Sequence, residues 1–352
     1  MSQEIEIGLG KKGRLGYALD DVAIVPSRRT RDPEDVSTSW QIDAYEFDVP
    51  VIGAPMDSVT SPATAIAMGK MGALGVLDLE GLWTRYEDPT PLLDEIAGLP
   101  ADQATERIQQ IYAEPVKPEL ITQRLHEIRA AGVTVAGALS PQRTQQFYST
   151  VVDAGVDLFV IRGTVVSAEH VSSGQEPLNL KKFIYDLDVP VIVGGASNYT
   201  AALHLMRTGA AGVLVGFGGG AVSATRQTIG VQAPMATAIA DGGMGDSGSF
   251  VKALALGADA VMLGAPLARA TEAPGKGTHW GSEARHQTLP RGYRTTVGTV
   301  GPLEQVLFGP SHQADGKTNF IGALKRAMAS TGYVDVKNFQ RCGMVVNPYS
   351  AR

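Results

Sequence analysis

Cysteine is almost absent from this sequence, whose 352 residues include only Cys342. A single thiol cannot close a disulfide within the chain, and it cannot supply a metal site built from several cysteines. Cys342 lies in the stretch FQRCGMVV near the C-terminal end, and we interpret it as an ordinary thiol. The sequence therefore predicts no disulfide framework, and we expect no metal-ligand residues elsewhere in it.

An excess of basic residues is also missing. The 30 Lys and Arg residues are outnumbered by 36 Asp and Glu residues, which gives a formal net charge of -6. Binding to a phosphate backbone requires a basic patch or stripe, so we expect no nucleic-acid partner.

Long apolar runs and targeting signals are lacking as well. No stretch contains the roughly 18 consecutive apolar residues that a membrane-spanning helix needs, and the N-terminal sequence MSQEIEIGLGKK has no apolar core of a signal peptide. We therefore expect a cytoplasmic protein without a membrane partner. With 44% hydrophobic and 19% charged residues, its composition is that of an ordinary globular protein.

What the sequence does contain is a regular series of short apolar segments. Each is rich in β-branched residues and ends in glycine or a small polar residue, which is typical of a buried strand. The stretches between them, such as SPATAIAMGKMG and SGSFVKALALG, have apolar residues at helical spacing. This alternation predicts a parallel sheet covered by helices. The predicted strands are VPVIGAPM (49–56), ALGVLDLE (73–80), VTVAGALS (133–140), VDLFVIRG (156–163), VPVIVGGA (189–196), AGVLVGFG (211–218) and GADAVMLGA (257–265).

The number of strands decides between two folds. The interval before the last segment is about twice the usual one and leaves room for a further strand at MATAIAD (235–241). Eight β-α units predict an α/β fold of the (β/α)₈ TIM barrel type, with a truncated seventh unit because residues 230–241 cannot hold both a full helix and a strand. The alternative is a doubly wound sheet, since GFGGGA (216–221) fits the dinucleotide fingerprint. That fingerprint normally follows the first strand of its domain, whereas here it follows the sixth.

Glycine-rich segments follow three of the last predicted strands: GFGGGA (216–221), ADGGMGDSG (240–248) and LGAPLARA (263–270). Successive N–H groups in glycine-rich turns form an anion site, and these strand exits converge in a barrel. The pattern predicts a phosphate site, with Asp241 placed to accept hydrogen bonds from ribose hydroxyls. The alternative is that the glycines only permit tight turns and that Asp241 caps the helix beginning near Ser247.

Five segments in the same order resemble the IMP dehydrogenase/GMP reductase family, close to its bacterial paralogues that lack the regulatory domain. They are ALDDVAIVPS (18–27), APMDSVT (54–60), GFGGGAVSATR (216–226), ADGG (240–243) and NFIGALKRAMASTGY (319–333). The resemblance implies one (β/α)₈ barrel domain over residues 1–352, assembled as a homotetramer. It also implies a purine 5′-monophosphate substrate and hydride transfer at purine C2 with NAD or NADP. A monovalent cation is compatible with the resemblance as a further ligand.

The resemblance implies roles for particular residues. Gly243 and Gly264 bind phosphate, Asp241 binds ribose, Met56 lies near the base, and Thr225 lies near C2. The implied substrate-binding set is Met56, Gly218, Gly220, Asp241, Gly242, Gly243 and Gly264. An insertion at about 82–125 stands where many dehydrogenases of the family carry a regulatory domain, and it is too short to be one.

The chain departs from the family at the reacting group. The family loop resembles GVGPGSICTTR, whose cysteine thiolate attacks C2; Ser223 stands at that cysteine and Ala221 at a phosphate-binding serine. A serine hydroxyl needs an adjacent base to become a nucleophile, and no histidine lies near it in sequence. The segment LPRGYRTTVG (289–298) corresponds to the mobile flap of the family. Arg162 stands where the family commonly has an aspartate that contacts the nicotinamide ribose.

Two functions stay open on this basis. The first is an oxidoreductase acting at C2 of a purine nucleotide, or of a modified purine nucleotide, with Ser223 and Thr225 as catalytic residues. In this hypothesis either Ser223 replaces the nucleophile, or hydride is transferred directly and no nucleophile is needed. Within this hypothesis, the compact length slightly favours reductive deamination of the GMP reductase type over IMP dehydrogenation. NADPH is slightly favoured over NADH as the cofactor. The second is a catalytically silent paralogue that binds purine nucleotides and regulates, or assembles with, an active relative.

Overall fold

A parallel sheet forms the centre of the molecule. The computed structural model describes residues 4–26, 28–173, 177–238 and 244–346. Within them, seven parallel strands pair in the order β6-β5-β4-β3-β2-β1-β7. These strands are β1 (Val51–Gly53), β2 (Leu74–Asp78), β3 (Ala136–Leu139), β4 (Leu158–Arg162), β5 (Val191–Ala196), β6 (Gly212–Val215) and β7 (Val261–Leu263).

The strand order settles the fold. The first six strands each pair with their neighbours along the chain, and β7 returns to pair with β1, with Val261 opposite Val51. A doubly wound sheet would instead reverse its strand order at a switch point. The predicted TIM barrel is confirmed, and the doubly wound alternative is wrong. β7 corresponds to the eighth strand that the sequence predicts.

Helices follow most of the barrel strands and cover the sheet. They are α1 (Pro62–Lys70), α2 (Thr90–Gly98), α3 (Ala101–Ile111), α4 (Pro118–Ala130), α5 (Pro141–Asp153), α6 (Leu180–Tyr185), α7 (Tyr199–Met206), α8 (Thr225–Ile229), α9 (Met235–Ala238), α10 (Ser247–Ala255), α11 (Ala265–Ala268), α12 (Leu303–Phe308), α13 (Phe320–Thr331) and α14 (Val336–Phe339). None of the helices in the described ranges combines the length and the apolar character needed to cross a bilayer.

Short antiparallel pairs and 3₁₀ turns complete the fold. The pairs join Glu4–Gly8 with Lys11–Arg14, Val22–Val25 with Gly343–Val346, Trp40–Ile42 with Tyr45–Phe47, and Thr278–His279 with Thr295–Thr296. The 3₁₀ turns are Leu19–Asp21, Pro33–Asp35, Leu82–Thr84 and Ser282–Arg285.

Local sequence signals explain where the helices begin and end. Ser61 caps α1 by accepting a hydrogen bond from the Thr64 N–H at 3.0 Å, and Pro62 occupies the first helical position, where its missing N–H costs nothing. Asp246 caps α10 in the same way through Ser249. Gly132 and Gly155 follow α4 and α5 with φ angles of 73° and 77°, a left-handed conformation that favours glycine.

The seventh unit differs from the sequence prediction. The strand predicted at MATAIAD (235–241) is wrong in its described part, because Met235–Ala238 form the short helix α9; residues 239–241 lie outside the described residues. Methionine and alanine are strong helix formers, and the preceding Pro234 cannot donate a ladder hydrogen bond. The helix before it, α8, has 5 residues. The unit is therefore short, as the spacing predicts.

Alternate strand residues fill the barrel. The inward-facing set contains Ile52, Leu74, Val76, Ala136, Ala138, Leu158, Val160, Ile192, Leu214 and Met262. At the end that precedes the strands, Trp40 and Phe47 stack with ring centroids 5.0 Å apart and close the barrel. Outward-facing residues such as Leu77 and Phe159 pack instead with side chains of α4 and α5. This two-residue period continues to the last residues of the strands and directs polar residues into the cavity described below.

The insertion after β2 forms two helices of its own. The predicted range of about 82–125 contains α2, α3 and the first turns of α4. α4 packs against α1 and α5 and belongs to the barrel, whereas α3 lies against Ser282–Arg285. The insertion thus lies beside residues 279–294, which cover the carboxyl ends of the strands and are called the covering segment below.

Candidate active site

A cavity of about 710 Å³ lies across the carboxyl ends of the barrel strands. The alternation along the strands explains part of its lining: Asp78 has the inward parity of Leu74 and Val76, and Arg162 has that of Leu158 and Val160. Other lining residues come from the loop after β6 and from residues 279–291. This is the end of a barrel at which ligand sites are normally built.

The glycine-rich loop after β6 forms one wall of the cavity. Gly218 and Gly220, two of the predicted substrate-binding residues, both line it. Gly218 has a φ angle of 78°, which lets the chain turn back into the cavity. The Ser223 N–H donates to the Gly220 carbonyl at 3.0 Å, and Thr225 begins α8 fully buried. The loop therefore presents Ser223 to the cavity with Thr225 directly behind it.

Ser223 and Thr225 share a carboxylate that sequence reasoning missed. The Ser223 Oγ lies 3.0 Å from the Thr225 Oγ1 and donates to Glu283 Oε2 at 3.3 Å. Thr225 Oγ1 reaches the same carboxylate oxygen at 3.4 Å, and Thr164 donates to the other oxygen at 2.7 Å. Glu283 lines the cavity. The serine thus has the adjacent carboxylate that a hydroxyl nucleophile requires.

The segment carrying Glu283 lies along the serine loop. The Arg291 N–H donates to the Glu283 carbonyl at 3.0 Å, and the Ala224 N–H donates to the Arg291 carbonyl at 2.7 Å. The Tyr293 N–H donates to the Val222 carbonyl at 3.1 Å, so Ser223 pairs with Gly292 in a short antiparallel bridge. The stretch that resembles the family flap therefore begins in direct contact with the serine loop.

Neither nearby histidine is hydrogen-bonded to Ser223 in the described part of the chain. His286 also lines the cavity, but its Nδ1 accepts the Leu289 N–H at 3.1 Å and caps its own turn. His279 lies near Gly264, and its Nδ1 is 2.9 Å from Ser58 Oγ. Burial, together with the positive charge of Arg269, lowers the pKa of His279 to about 4. This histidine is therefore neutral near pH 7.

Met56 and Gly264, both members of the predicted substrate-binding set, line another part of the cavity. A Cβ added to Gly264 would lie 3.2 Å from His279 Nε2 and 3.5 Å from Met56 Sδ. Arg269 lies close behind this end, donates to the Gly245 carbonyl at 2.6 Å, and contributes positive charge there. The tight cradle and the nearby guanidinium suit an anionic group at Gly264.

Three of the predicted site residues cannot be placed. Asp241, Gly242 and Gly243 lie outside the described residues. Met244 and Gly245, which follow them directly, line the cavity. The predicted ribose and phosphate contacts at 241–243 stay predictions.

A buried ionic group forms the floor of the cavity. Arg285 donates to Asp78 Oδ2 at 2.8 Å and lies 3.9 Å from Glu80 Oε2. Burial opposes the charge of Arg285, but Asp78 and Glu80 outweigh it and raise the pKa of the guanidinium. Ser140 donates its N–H to Glu80 at 2.5 Å. The two carboxylates are thus occupied by partners.

Asp57 lies behind this floor and is completely buried. Tyr112 donates its hydroxyl to Asp57 Oδ2 at 2.6 Å, and the Leu82 N–H donates to the same oxygen at 3.0 Å. Burial, followed by the negative charge of Asp78, raises the pKa of Asp57 to about 7. Tyr112 also accepts the indole N–H of Trp280 at 3.0 Å, which connects the insertion to the covering segment.

Metal ligation has no candidate in the part of the chain that the structure describes. Within those ranges, no three His, Cys, Asp or Glu side chains come together in a group that could hold a metal ion. The candidate chemistry there consists of hydroxyls, the carboxylate of Glu283 and guanidinium groups.

The fold and the position of the cavity define a (β/α)₈ barrel protein with a ligand site at the carboxyl ends of its strands. The description "IMP dehydrogenase / GMP reductase domain" matches residues 16–292, and the chain belongs to this family.

Several relatives are similar to the chain over most of its length. An uncharacterized oxidoreductase of Mycolicibacterium smegmatis is 46% identical, covering 97% of this chain and 99% of that protein. The inosine-5′-monophosphate dehydrogenase of Cryptosporidium parvum is 28% identical over 82% of this chain and 75% of its own length. The crystal structure of an IMP dehydrogenase/GMP reductase-like protein from Corynebacterium glutamicum matches with a TM-score of 0.92 and 44% identity, covering 98% of both chains. The names of these relatives indicate an oxidoreductase.

Proposed function

We propose that this protein is an NAD(P)-dependent oxidoreductase acting at C2 of a purine 5′-monophosphate, with Ser223, Thr225 and Glu283 as its reacting group. The observation that carries the proposal is the contact of 3.3 Å between Ser223 Oγ and Glu283 Oε2. A serine without a base is a poor replacement for a thiolate, whereas a serine beside a carboxylate can be activated.

The cavity supports a purine monophosphate bound from Gly264 towards Ser223. Gly264 and the charge of Arg269 favour the phosphate at one end, and Met56 lines the wall between that end and the loop. Family membership and the relatives named inosine-5′-monophosphate dehydrogenases support this substrate class.

The lining beyond Ser223 fits a second ligand. Ser140, Gln142 and Arg162 extend the cavity across the barrel from Gly264 and offer polar groups that a nucleotide at Gly264 would leave free. When bound, a nicotinamide cofactor supplies or accepts the hydride at C2.

The residues of this chain would move the proton. As Ser223 Oγ bonds to C2, Glu283 takes the serine proton and passes it to the leaving group, which is ammonia in the favoured reductive deamination of GMP. Hydride addition at C2 then breaks the bond between C2 and the serine oxygen. The serine leaves as an alkoxide and regains a proton from solvent. Thr164, which donates to Glu283 at 2.7 Å, orients the carboxylate throughout.

Turnover tests the reaction. Purified protein is mixed with GMP, IMP or XMP and with NADPH or NAD⁺ while absorbance at 340 nm is followed, and we expect oxidation of NADPH with GMP. Glu283→Gln should lower kcat by about 10² to 10³-fold because the base is lost, with little change in Tm. Glu106→Gln, on the exposed side of α3, is the matched control. Absence of turnover with every pair, together with nucleotide-dependent thermal stabilisation, would support the silent binding protein instead.

Nucleotide binding tests the phosphate end independently of turnover. Gly264→Ala places a methyl group 3.2 Å from His279 Nε2, so we expect the affinity for GMP and IMP to fall about tenfold or more, at about 1.4 kcal/mol per factor of ten. Gly98→Ala, where a Cβ meets no atom within 4 Å, is the control. If no purine monophosphate raises the Tm of the unmodified protein at millimolar concentration, the assignment is wrong.

A further inference from the structure

We propose that the cavity contains a second anion site, formed by Arg162 and Arg291, which takes a phosphate group of the second ligand. The inference rests on the proposed function, because it places this ligand beside a purine nucleotide. It concerns a different end of the cavity and different residues.

The two guanidinium groups have no partners among the described residues. Arg162 and Arg291 both line the cavity. The Nε atom of each is buried without a hydrogen-bond partner in the described part of the chain. Neither side chain is within ion-pair distance of a carboxylate there: the ion pairs of the described residues involve Lys12, Arg107, Lys117, Arg124, Arg129, Lys276, Arg285, Lys317 and Lys337. Buried donors of this kind are normally satisfied by a partner, which here would be a ligand.

The acidic residues that line the cavity are already engaged. Glu283 accepts hydrogen bonds from Thr164, Ser223 and Thr225. Asp78 is paired with Arg285, and Glu80 accepts the Ser140 N–H. The positive charges of the two arginines therefore face the cavity without a matching acid, and they would attract an anion.

The backbone holds both arginines beside the reacting group. Arg162 ends β4, two residues before Thr164, whose hydroxyl contacts Glu283. Arg291 is fixed through its own N–H to Glu283 and through its carbonyl to the Ala224 N–H of the serine loop. β4 and β7 are separated by three strands in the sheet, so this site lies across the barrel from Gly264. One cavity thus offers two anion positions with Ser223 between them.

Phosphate is the chemistry that these donors fit. A guanidinium is a planar fork of donors that matches phosphate oxygens. A nicotinamide dinucleotide has two sources of phosphate: the pyrophosphate, common to NAD and NADP, and the 2′-phosphate of NADP alone. The site requires one of them, and binding measurements separate the two.

The test is calorimetric titration of NADP⁺, NAD⁺ and inorganic pyrophosphate into the protein, each with and without saturating IMP. The variants are Arg162→Gln, Arg291→Gln and the double substitution. Arg143→Gln is the matched control, since Arg143 is exposed one residue beyond the cavity-lining Gln142 and its guanidinium contacts Gln146. We expect the double variant to bind NADP⁺ at least tenfold more weakly, with Arg143→Gln within twofold of the unmodified protein. Arg162→Lys, which keeps the charge but not the fork, should fall between them.

The pattern of losses identifies the phosphate. Weakening of NADP⁺ alone identifies the 2′-phosphate, and equal weakening of NADP⁺, NAD⁺ and pyrophosphate identifies the pyrophosphate. The proposal is overturned if the double variant binds all three ligands as the unmodified protein does, or if the unmodified protein binds none of them at millimolar concentration. IMP affinity should be unchanged in every variant; failure of IMP to bind at all would contradict the purine-nucleotide proposal, while the pyrophosphate titration without IMP still decides on the arginine site.

Discussion

At the scale of single residues, Asp57 shows how the fold places a carboxyl group where its charge is costly. The side chain is completely buried, and Oδ2 accepts hydrogen bonds from Tyr112 and Leu82 while Oδ1 has no partner in the described part of the protein. A Cβ at Gly81 would lie 2.3 Å from Oδ1, so that side of the carboxyl group is closed by backbone. With Asp78 also nearby, the neutral form is favoured, and the pKa rises to about 7.

The pKa of Asp57 predicts a pH dependence of stability. The folded state keeps the Asp57 proton up to about pH 7, whereas an aspartate in the unfolded chain loses it near pH 4. Between these values the folded state binds more protons, so the free energy of unfolding falls as pH rises and levels off above about pH 7. We expect this group to lower the free energy of unfolding by about 1 to 2 kcal/mol between pH 5.5 and 7.5.

Urea unfolding at pH 5.5 and 7.5 measures this contribution. Asp57→Asn cannot titrate, so its loss of stability between the two pH values should be smaller than that of the unmodified protein by the same amount. Asp153→Asn, at the exposed end of α5, should leave the pH dependence as it is. Equal pH dependence in Asp57→Asn and the unmodified protein would contradict the raised pKa.

The site residues differ in how far the sequence could predict them. Ser223, Thr225 and the glycines of their loop belong to one continuous motif, and Arg162 follows from the inward parity of its strand. Glu283 is 60 residues from Ser223 in the chain, and nothing in the stretch GSEARH marks it as a partner of the serine. Only the path of residues 279–293 across the barrel brings it there, and that path depends on tertiary contacts.

At the scale of elements, the insertion supports the segment that carries Glu283. Gln109 on α3 donates to the His286 carbonyl at 2.6 Å, and Gln287 donates back to the Gln109 carbonyl at 2.8 Å. Arg294 donates to the carbonyls of Ala97, at 3.1 Å, and of Leu99, at the end of α2. The insertion therefore forms hydrogen bonds to both ends of the stretch 286–294. Because this stretch follows Glu283 closely in the chain, these contacts help to position Glu283.

Loss of one of these contacts should loosen the covering segment. In Gln109→Ala, we expect amide hydrogen exchange at residues 286–289 to become several-fold faster, because local opening no longer breaks the Gln109 hydrogen bond. Exchange in β2 and β3 should not change. Hydrogen exchange followed by mass spectrometry measures both regions.

Gln103→Ala serves as the control on the same helix, since that side chain is exposed and its loss leaves the covering segment untouched. If the two substitutions change exchange at 286–289 equally, the support comes from the rest of the interface and not from Gln109.

The strands of the barrel were predictable because each carries its own signal. A segment such as VPVIVGGA has β-branched residues, a turn before it and a glycine pair near its end, and it forms β5 at Val191–Ala196. MATAIAD has no such signal: its methionine and alanines suit a helix, and the strand prediction there depended only on the length of the interval. The helix preference of the local sequence decided the structure there, and Met235–Ala238 are helical.

At the scale of the whole molecule, the insertion shares its apolar core with the barrel. Its buried residues pack in one cluster with side chains of the covering segment: Leu82, Leu93, Ile96, Ile108, Ile111, Tyr112, Trp280 and Ala284. Two helices of 9 and 11 residues bury too little surface to fold alone. We therefore propose that the insertion and the barrel are one domain that unfolds cooperatively.

The three tryptophans allow a test from opposite ends of the barrel. Trp40 packs with Phe47 where the barrel is closed, whereas Trp280 is buried against the insertion and donates to Tyr112. A Trp83→Phe/Trp280→Phe variant leaves only Trp40 as a fluorescent reporter, and a Trp40→Phe/Trp83→Phe variant leaves only Trp280. In urea, we expect the fluorescence transition of each variant to coincide with its own far-UV circular dichroism transition, as two-state unfolding requires. Each variant is compared with itself, so a change in stability caused by the substitutions does not affect the result. A Trp280 transition that precedes the circular dichroism transition, while the Trp40 transition follows it, would show that the insertion separates from the barrel before the barrel unfolds.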